Sequence, residues 1–194
     1  KQAEITPEVG EQIQTERKGV PSGEKSKEDK TVLQKNSVKK TEAIRLKIKL
    51  NGFVIGDSLV QKNTKGVLNR IKTNVYSAVE KIREEYRAFD FRKTQIEEIK
   101  KFLGKLPEEP RLKLEATFMT RDLTREVKGF IDKGEVYDVS FGRWLDKQHS
   151  ILRDGLQIST KKIEELIHTA KSAGALGCKI NGSGGGGCFL AFAP

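Results

Sequence analysis

The segment GALGCKINGSGGGGCFLAF, residues 174–192, decides the fold. Its glycine run, residues 182–187, lies between two short apolar stretches that have the length and composition of strands, at 178–180 and 188–192. A helical pattern begins before it at the N-cap signal Ser159-Thr160 and ends at Gly174. The sequence therefore predicts a helix, a strand, a glycine loop and a second strand, in that order.

The glycine run has two other interpretations. Gly182, Gly184 and Gly187 satisfy G-x-G-x-x-G, but the dinucleotide-binding fingerprint requires a helix after the glycines and an acidic residue about 20 positions later. Here a strand follows, and no G-K-[ST] of a Walker-type phosphate loop is present. A flexible linker is the second interpretation, yet the run lies inside a hairpin-like pair of strands. Glycines there let backbone amides approach a phosphate or another loop.

Upstream of this segment, apolar residues recur at three- and four-residue steps and predict further helices. The first carries the stripe from Val67 to Tyr86, and the second starts at the capping-box spacing of Thr94 and Glu97. Two more start after Pro110 and at Asp138. Glycines end the last three of these helices, at positions 104, 134 and 155. Met119 is predicted to lie on the inward stripe of the third, and the first two are interpreted as amphipathic packing helices.

A hairpin is predicted before these helices. Ile44, Leu46, Ile48 and Leu50 alternate with charged residues, as in a half-buried strand. Asn51-Gly52 is typical of a tight turn, and residues 53–55 supply the returning strand.

Composition divides the chain in two. Residues 1–41 have no aromatic residue and only isolated apolar ones, so we predict a disordered segment there and a folded domain at 42–194. The domain carries 28 Lys and Arg against 20 Asp and Glu, a net charge of +8, which favours an anionic ligand.

The spacing of Cys178 and Cys188 with the two histidines matches no metal site. With no apolar span or leader, we expect a soluble, cytoplasmic protein.

Several separated segments resemble one family of enzymes. In order and spacing, residues 149–154, 156–160 and 174–188 are similar to the last third of galactokinases and related GHMP sugar kinases, and residues 53–58 are similar to a strand of that family that ends in serine. The resemblance covers residues 42–194. It implies an α+β fold, the ferredoxin-like C-terminal domain of GHMP kinases with extra helices.

The resemblance also implies a function. The family transfers the γ-phosphoryl group of ATP to a monosaccharide hydroxyl, with Mg²⁺ neutralising the phosphates. Its third motif lines the pocket for ATP and substrate, and the matching residues here are Asn181, Gly182, Ser183, Gly184, Gly185, Gly186 and Gly187. Supporting roles are implied for Lys179, Asp57, Ser58, Arg153 and Asp154. A local ion pair is the alternative role for Arg153 and Asp154, and a packed or hydrogen-bonded role is expected for His149. No catalytic residue is assigned.

Departures from the family pattern limit these expectations. The family's first two motifs, with the phosphate-binding segment and the catalytic aspartate, have no match, and relatives continue beyond Pro194 with another helix and strand. We therefore expect a truncated domain that is inactive without the N-terminal kinase domain of its parent protein. The all-glycine run from Gly184 also lacks the aromatic residue usual in galactokinases, so heptose phosphate and fucose remain alternatives to galactose.

Two further functions remain open. One is a kinase relative that keeps the fold without the chemistry. The other is a basic nucleic-acid-binding module, which the near-cancelling charges of residues 1–41 and the lack of interleaved aromatics disfavour.

Overall fold

The computed structural model describes residues 48–194. The predicted disordered segment, residues 1–41, lies outside the described residues. Three strands are present: β1 (Phe53–Asp57), β2 (Gly177–Ile180) and β3 (Cys188–Phe192). The helices are α1 (Thr64–Glu85), α2 (Ile96–Leu103), α3 (Glu108–Lys133), α4 (Asp138–Ser150), which continues as a π-helical turn (Ile151–Gly155), and α5 (Lys161–Ser172). No helix in the described part of the chain is long and apolar enough to cross a membrane.

The three strands form one antiparallel sheet in the order β1-β3-β2. Phe192 of β3 lies opposite both Phe53 of β1 and Gly177 of β2. The helix, strand, glycine loop and strand predicted for the end of the chain are confirmed as α5, β2, residues 182–187 and β3. The predicted α+β class is confirmed as well.

The predicted hairpin is wrong in its described part. Residues 48–50 lie in no strand, and β1 pairs with β3 instead; residues 44–47 lie outside the described part of the chain. A type I′ hairpin turn needs positive φ at both central residues, but of this pair only Gly52 has it, at 83°. The carbonyl of Gly52 accepts a hydrogen bond from Ala193 N at 2.7 Å, so this turn contacts the end of β3.

Of the three hydrophobic cores in the described residues, two position these elements, and the third contains Ala116, Leu123 and Ile151. The first joins the upstream helices, and its most buried members are Ala78, Ile82, Ile99, Leu114 and Phe118. The second lies between α5 and the sheet, and includes Ile163, Ile167, Cys178, Ile180 and Phe189. The glycine loop therefore begins and ends on strands that are anchored in the second core.

Most helix ends agree with the predicted signals. Gly134 ends α3 in the left-handed conformation, with φ at 73°, and Thr160 caps α5 by accepting a hydrogen bond from Ile163 N at 3.3 Å. The predicted capping box is shifted by one residue, because Gln95 N donates to Glu98 Oε1 at 2.6 Å. Thr94 is buried, and its hydroxyl accepts from Asp90 N instead.

Two details of α3 and α4 differ from the prediction. The helix that starts at Asp138 ends at Gly155 as predicted, but its last turn, Ile151–Gly155, is π-helical. A Cβ at Gly155 would lie 2.4 Å from Ala116 Cβ, so the glycine permits close packing on α3. On α3 itself, Met119 is 51% exposed, while Lys113 is fully buried.

Candidate functional site

The glycine loop, residues 182–187, follows a defined backbone path. Gly182, Gly184, Gly185 and Gly187 have φ between 71° and 76°, and Gly186 has φ at 121°. These conformations strain residues that carry a Cβ, and glycine adopts them freely. The loop thus needs glycine at five of its six positions for its conformation, which a flexible linker would not.

Close contacts on both sides of the loop are a second reason why glycine is needed there. A Cβ at Gly184 would lie 2.5 Å from the carbonyl oxygen of Ile158, and one at Gly186 would lie 2.6 Å from that of Val60. The same two carbonyls accept hydrogen bonds, Ile158 O from Gly185 N at 2.7 Å and Val60 O from Gly187 N at 3.2 Å. The loop is held between the segment that follows β1 and the segment that precedes α5.

Three of the predicted site residues lie at the base of this loop, and Ser58 contacts it directly. Ser58 is buried, its amide donates to Gly187 O at 2.9 Å, and its hydroxyl accepts from Val60 N at 3.3 Å. Asp57 lies opposite Cys188 in the sheet, and its Oδ1 accepts from Leu59 N at 2.9 Å. Asn181 N donates to Cys188 O at 2.9 Å and closes the base of the loop. The structure therefore brings Asp57, Ser58 and Asn181 together with the glycines.

Lys62 is a cation at this site that the sequence analysis missed. Its ammonium donates to Asn181 O at 3.5 Å, and its side chain occupies the space that a Cβ at Gly187 would need. The N-terminus of α1 lies on the same side, where Ser183 Oγ donates to Thr64 Oγ1 at 3.2 Å. The first turn of α1 contains no acidic residue. Because helix N-termini and lysines both favour anions, this side of the loop is electropositive. Lys62 is an isolated lysine in a polar segment, so no sequence pattern identifies it as a site residue.

Two other predicted residues form a separate ion pair. Arg153 Nε and Nη2 donate to the two carboxylate oxygens of Asp154 at 2.7 and 2.8 Å. This bidentate pairing raises the pKa of Arg153 and lowers the pKa of Asp154. Arg153 Nη1 also lies 3.6 Å from Glu164 Oε2 of α5. Arg153 and Asp154 thus form the local ion pair that was the alternative to a supporting role at the loop.

Lys179 faces away from the glycine loop. Its ammonium donates to Ile180 O at 3.0 Å, and the side chain lines an apolar cavity between α3 and α4. Burial lowers the pKa of Lys179. The structure therefore places this predicted supporting residue at a different site.

His149 lies behind the loop, in the hydrogen-bonded role expected for it. Its Nδ1 accepts from Ile180 N at 3.2 Å, which places the ring proton on Nε2, and Nε2 donates to Glu164 Oε1 at 2.9 Å. Burial lowers its pKa and outweighs the opposing effect of Glu164. His149 thus connects α4, α5 and the strand that leads into the loop.

Lys113 supports the loop from α3 and was also missed. Although it is fully buried, its ammonium donates to two neutral acceptors, Gly155 O at 3.1 Å and Gln157 Oε1 at 2.7 Å. Burial lowers the pKa of Lys113. The segment that it holds continues into Ile158, whose carbonyl bonds the glycine loop. Sequence patterns assign a lysine on a helix to solvent, so they gave no signal for this role.

The end of the chain matches a described protein family. Residues 138–194 match the family model described as GHMP kinases C terminal. The matched region contains α4, α5, β2, the glycine loop and β3.

Curated relatives agree with that match, and one solved structure has a similar fold. A stretch of 60 residues is 53% identical to a mevalonate kinase of Thermococcus onnurineus, covering 31% of this chain and 18% of that protein. Another stretch, of 61 residues, is 38% identical to a galactokinase of a Roseiflexus species, and it covers 31% of this chain and 15% of that protein. The chain thus spans less than a fifth of these relatives. The structure resembles Lactococcus lactis galactokinase complexed with galactose, with a TM-score of 0.64 and 20% identity over 78% of this chain and 39% of that one.

Proposed function

We propose, from the premise that residues 138–194 form a GHMP kinase C-terminal domain, that this chain is part of an ATP-dependent kinase acting on a small-molecule hydroxyl. The observation that carries the proposal is the glycine loop with Lys62 beside it. Five glycines at positive φ bring the backbone to within contact of Val60, Lys62 and Ile158, and the ammonium of Lys62 lies at the base of the loop, beside Asn181.

The loop suits the charge that develops in phosphoryl transfer. Such reactions depend on positioning and on electrostatic stabilisation of the phosphoryl oxygens. The amides of Gly185 and Gly187 are used to hold the loop, whereas those of Gly184 and Gly186 donate to no backbone group within residues 48–194. In the proposed role these two amides and the ammonium of Lys62 donate to the phosphates.

ATP and Mg²⁺ fit this site to different degrees. The backbone amides of Gly184 and Gly186 and the ammonium of Lys62 are donors that suit a phosphate chain. Within the described residues no three His, Cys, Asp or Glu side chains form a metal-binding group. Mg²⁺ is commonly held by substrate phosphates with one or two carboxylates, and Asp57 is the carboxylate beside the loop. Mg²⁺ would thus enter with the nucleotide and neutralise its charge.

For the substrate we place mevalonate before galactose. The resemblance in sequence favours a sugar, with heptose phosphate or fucose as further alternatives. The mevalonate kinase of Thermococcus onnurineus shares 53% identity with its matching segment, against 38% for the Roseiflexus galactokinase. Mevalonate kinases also recur among the curated matches. Both substrates carry the hydroxyl group that the proposed reaction needs.

A chimera tests this proposal. The segment that matches in the Thermococcus onnurineus mevalonate kinase would be replaced by residues 138–194 of this chain, and ATP-dependent phosphorylation of mevalonate, galactose, fucose and a heptose phosphate would be measured. We expect turnover of one substrate, and a loss of at least 100-fold in kcat/KM when Gly184→Ala is added. Gly174→Ala is the matched control, since a Cβ there contacts nothing within 4 Å. A folded chimera that phosphorylates none of the four would overturn the proposal.

The 194-residue chain alone provides a second test. We expect weak or no ATP binding and no turnover, because the phosphate-binding motif expected in the N-terminal kinase domain has no match in this sequence. Calorimetric titration with ATP and Mg²⁺ measures this directly. Tight binding by the chain alone would contradict the division of the pocket between two domains.

A further inference from the structure

An apolar cavity of about 360 Å³ opens between α3 and α4, apart from the contacts that form the glycine loop. Its wall is built mainly by Leu123, Val127, Ile131, Phe141, Trp144 and Leu145. The volume is within the range of small-molecule sites, which are mostly apolar with a few polar groups that fix orientation. The cavity therefore has the size and lining of a binding site.

Lys179 of β2 supplies the cavity with a cation that pairs with no carboxylate of residues 48–194. Its ammonium donates to Ile180 O, a carbonyl of its own strand, at 3.0 Å. Burial is the cause of its lowered pKa, with no contribution from a neighbouring acidic group. The second lysine at the cavity, Lys128, forms an ion pair with Asp132. One unneutralised positive charge thus borders an apolar space.

We propose that this cavity binds a small carboxylic acid with an apolar body, and that its carboxylate pairs with Lys179. The apolar body would remove the side chains of α3 and α4 from water, which is favourable in proportion to the area covered. The carboxylate would give the partly buried ammonium the opposite charge that it lacks. A single lysine matches the single charge of a monocarboxylate, whereas a phosphate dianion would leave a charge uncompensated in apolar surroundings.

The test uses the 194-residue chain, with 4-phenylbutyrate and its uncharged analogue 4-phenylbutanol as probes. Titrations followed by calorimetry and by the NMR signals of Trp144 give both affinities. We expect saturable binding of the acid, at least tenfold tighter than the alcohol, with the largest shifts at Trp144 and Leu145. Equal affinities, or no binding of the acid, would overturn the proposal without the need for any variant.

Two variants locate the ligand. Lys179→Met is expected to weaken binding of the acid at least tenfold and to leave binding of the alcohol unchanged, while Lys128→Met changes neither. Val127→Trp fills the cavity and is expected to abolish binding of both probes. Thermal unfolding of each variant checks that it is folded. If folded Lys179→Met binds the acid as tightly as the unchanged chain does, the carboxylate does not pair with Lys179, which would contradict the proposal.

Discussion

The amide of Ile180 donates to Nδ1 of His149 at 3.2 Å, so a side chain of α4 satisfies a donor on the outer edge of β2. Asp146, one turn earlier on α4, does the same for Cys178, whose amide donates to Oδ1 at 2.8 Å. Residues three apart lie on one face of a helix, and alternate amides of a strand point to the same side. In the described part of the sheet, α4 thereby covers the open edge of β2 that leads into the glycine loop.

We predict that protonation of His149 destabilises the protein. Burial lowers its pKa in the folded state although Glu164 and Asp146 oppose the shift, and a protonated ring would lose the bond from Ile180. Because the folded pKa is below the unfolded value of about 6.5, the stability is fully present above pH 6.5 and is lost as the pH falls towards the folded pKa. Urea unfolding at pH 7.5, 6.5 and 5.5 measures this change.

The matched variants are His149→Gln and His168→Gln. His149→Gln is expected to remove the part of the pH dependence that lies below pH 6.5, since glutamine does not titrate. His168 is exposed, and its substitution should leave the profile unchanged. An identical profile in His149→Gln would contradict the assignment.

Asp146→Ala is predicted to lower the free energy of unfolding by about 1–3 kcal/mol, because it leaves the Cys178 amide and the Lys171 ammonium without their shared acceptor. Asp146→Asn keeps one acceptor and should cost less. Asp132→Ala is the control, because its ion pair with Lys128 is exposed and contributes at most about 0.5 kcal/mol. Urea unfolding at pH 7 compares the three. Equal losses for Asp146→Ala and Asp132→Ala would show that α4 does not stabilise the strand edge.

Gly184→Ala separates backbone strain from close contact. Gly184 and Gly174 both have positive φ, but only at Gly184 would a Cβ meet a neighbour, at 2.5 Å from Ile158 O. Gly174→Ala should therefore cost about 1–2 kcal/mol of unfolding free energy, and Gly184→Ala more. Thermal and urea unfolding of the two variants provide the comparison. Equal costs would mean that the loop moves away from Ile158 without penalty.

The sequence was sufficient for the elements that local patterns encode. Apolar periodicity predicted the five helices, and Gly134 and Thr160 are at the helix ends where their chemistry indicates. The glycine run between two strands was also predicted from the residues beside it. These features depend on neighbours within a few positions, which the sequence lists directly.

Features that depend on distant residues were not predicted. Asn51-Gly52 suggested a local hairpin, whereas β1 pairs with a strand about 135 residues later, a choice made by tertiary packing. Gln157 has φ at 55°, which is uncommon for a residue with a side chain, and it accepts hydrogen bonds from two distant residues, Lys113 to its Oε1 and Arg70 to its carbonyl. The positions of Lys62 and Lys113 likewise follow from the approach of separate segments, so no local pattern identifies them.

Lys113→Met is predicted to loosen the glycine loop through the segment that Lys113 holds. The substitution leaves Gly155 O and Gln157 Oε1 without their donor, and the next residue, Ile158, accepts the hydrogen bond from Gly185. A loss of about 1 kcal/mol of local stability corresponds to roughly a five- to tenfold faster exchange of the Gly185 amide. Hydrogen exchange followed by NMR measures this amide directly.

The comparison with other amides distinguishes a local effect from a global one. Ile82 lies in the first hydrophobic core, which joins the upstream helices. Its amide exchange should therefore change less than that of Gly185 in Lys113→Met. Lys105→Met removes an exposed lysine that pairs with Glu85, and it should alter neither amide. If Gly185 and Ile82 accelerate by the same factor, the buried ammonium stabilises the whole fold rather than the loop. If Gly185 is unaffected while the variant stays folded, Ile158 is positioned independently of Lys113.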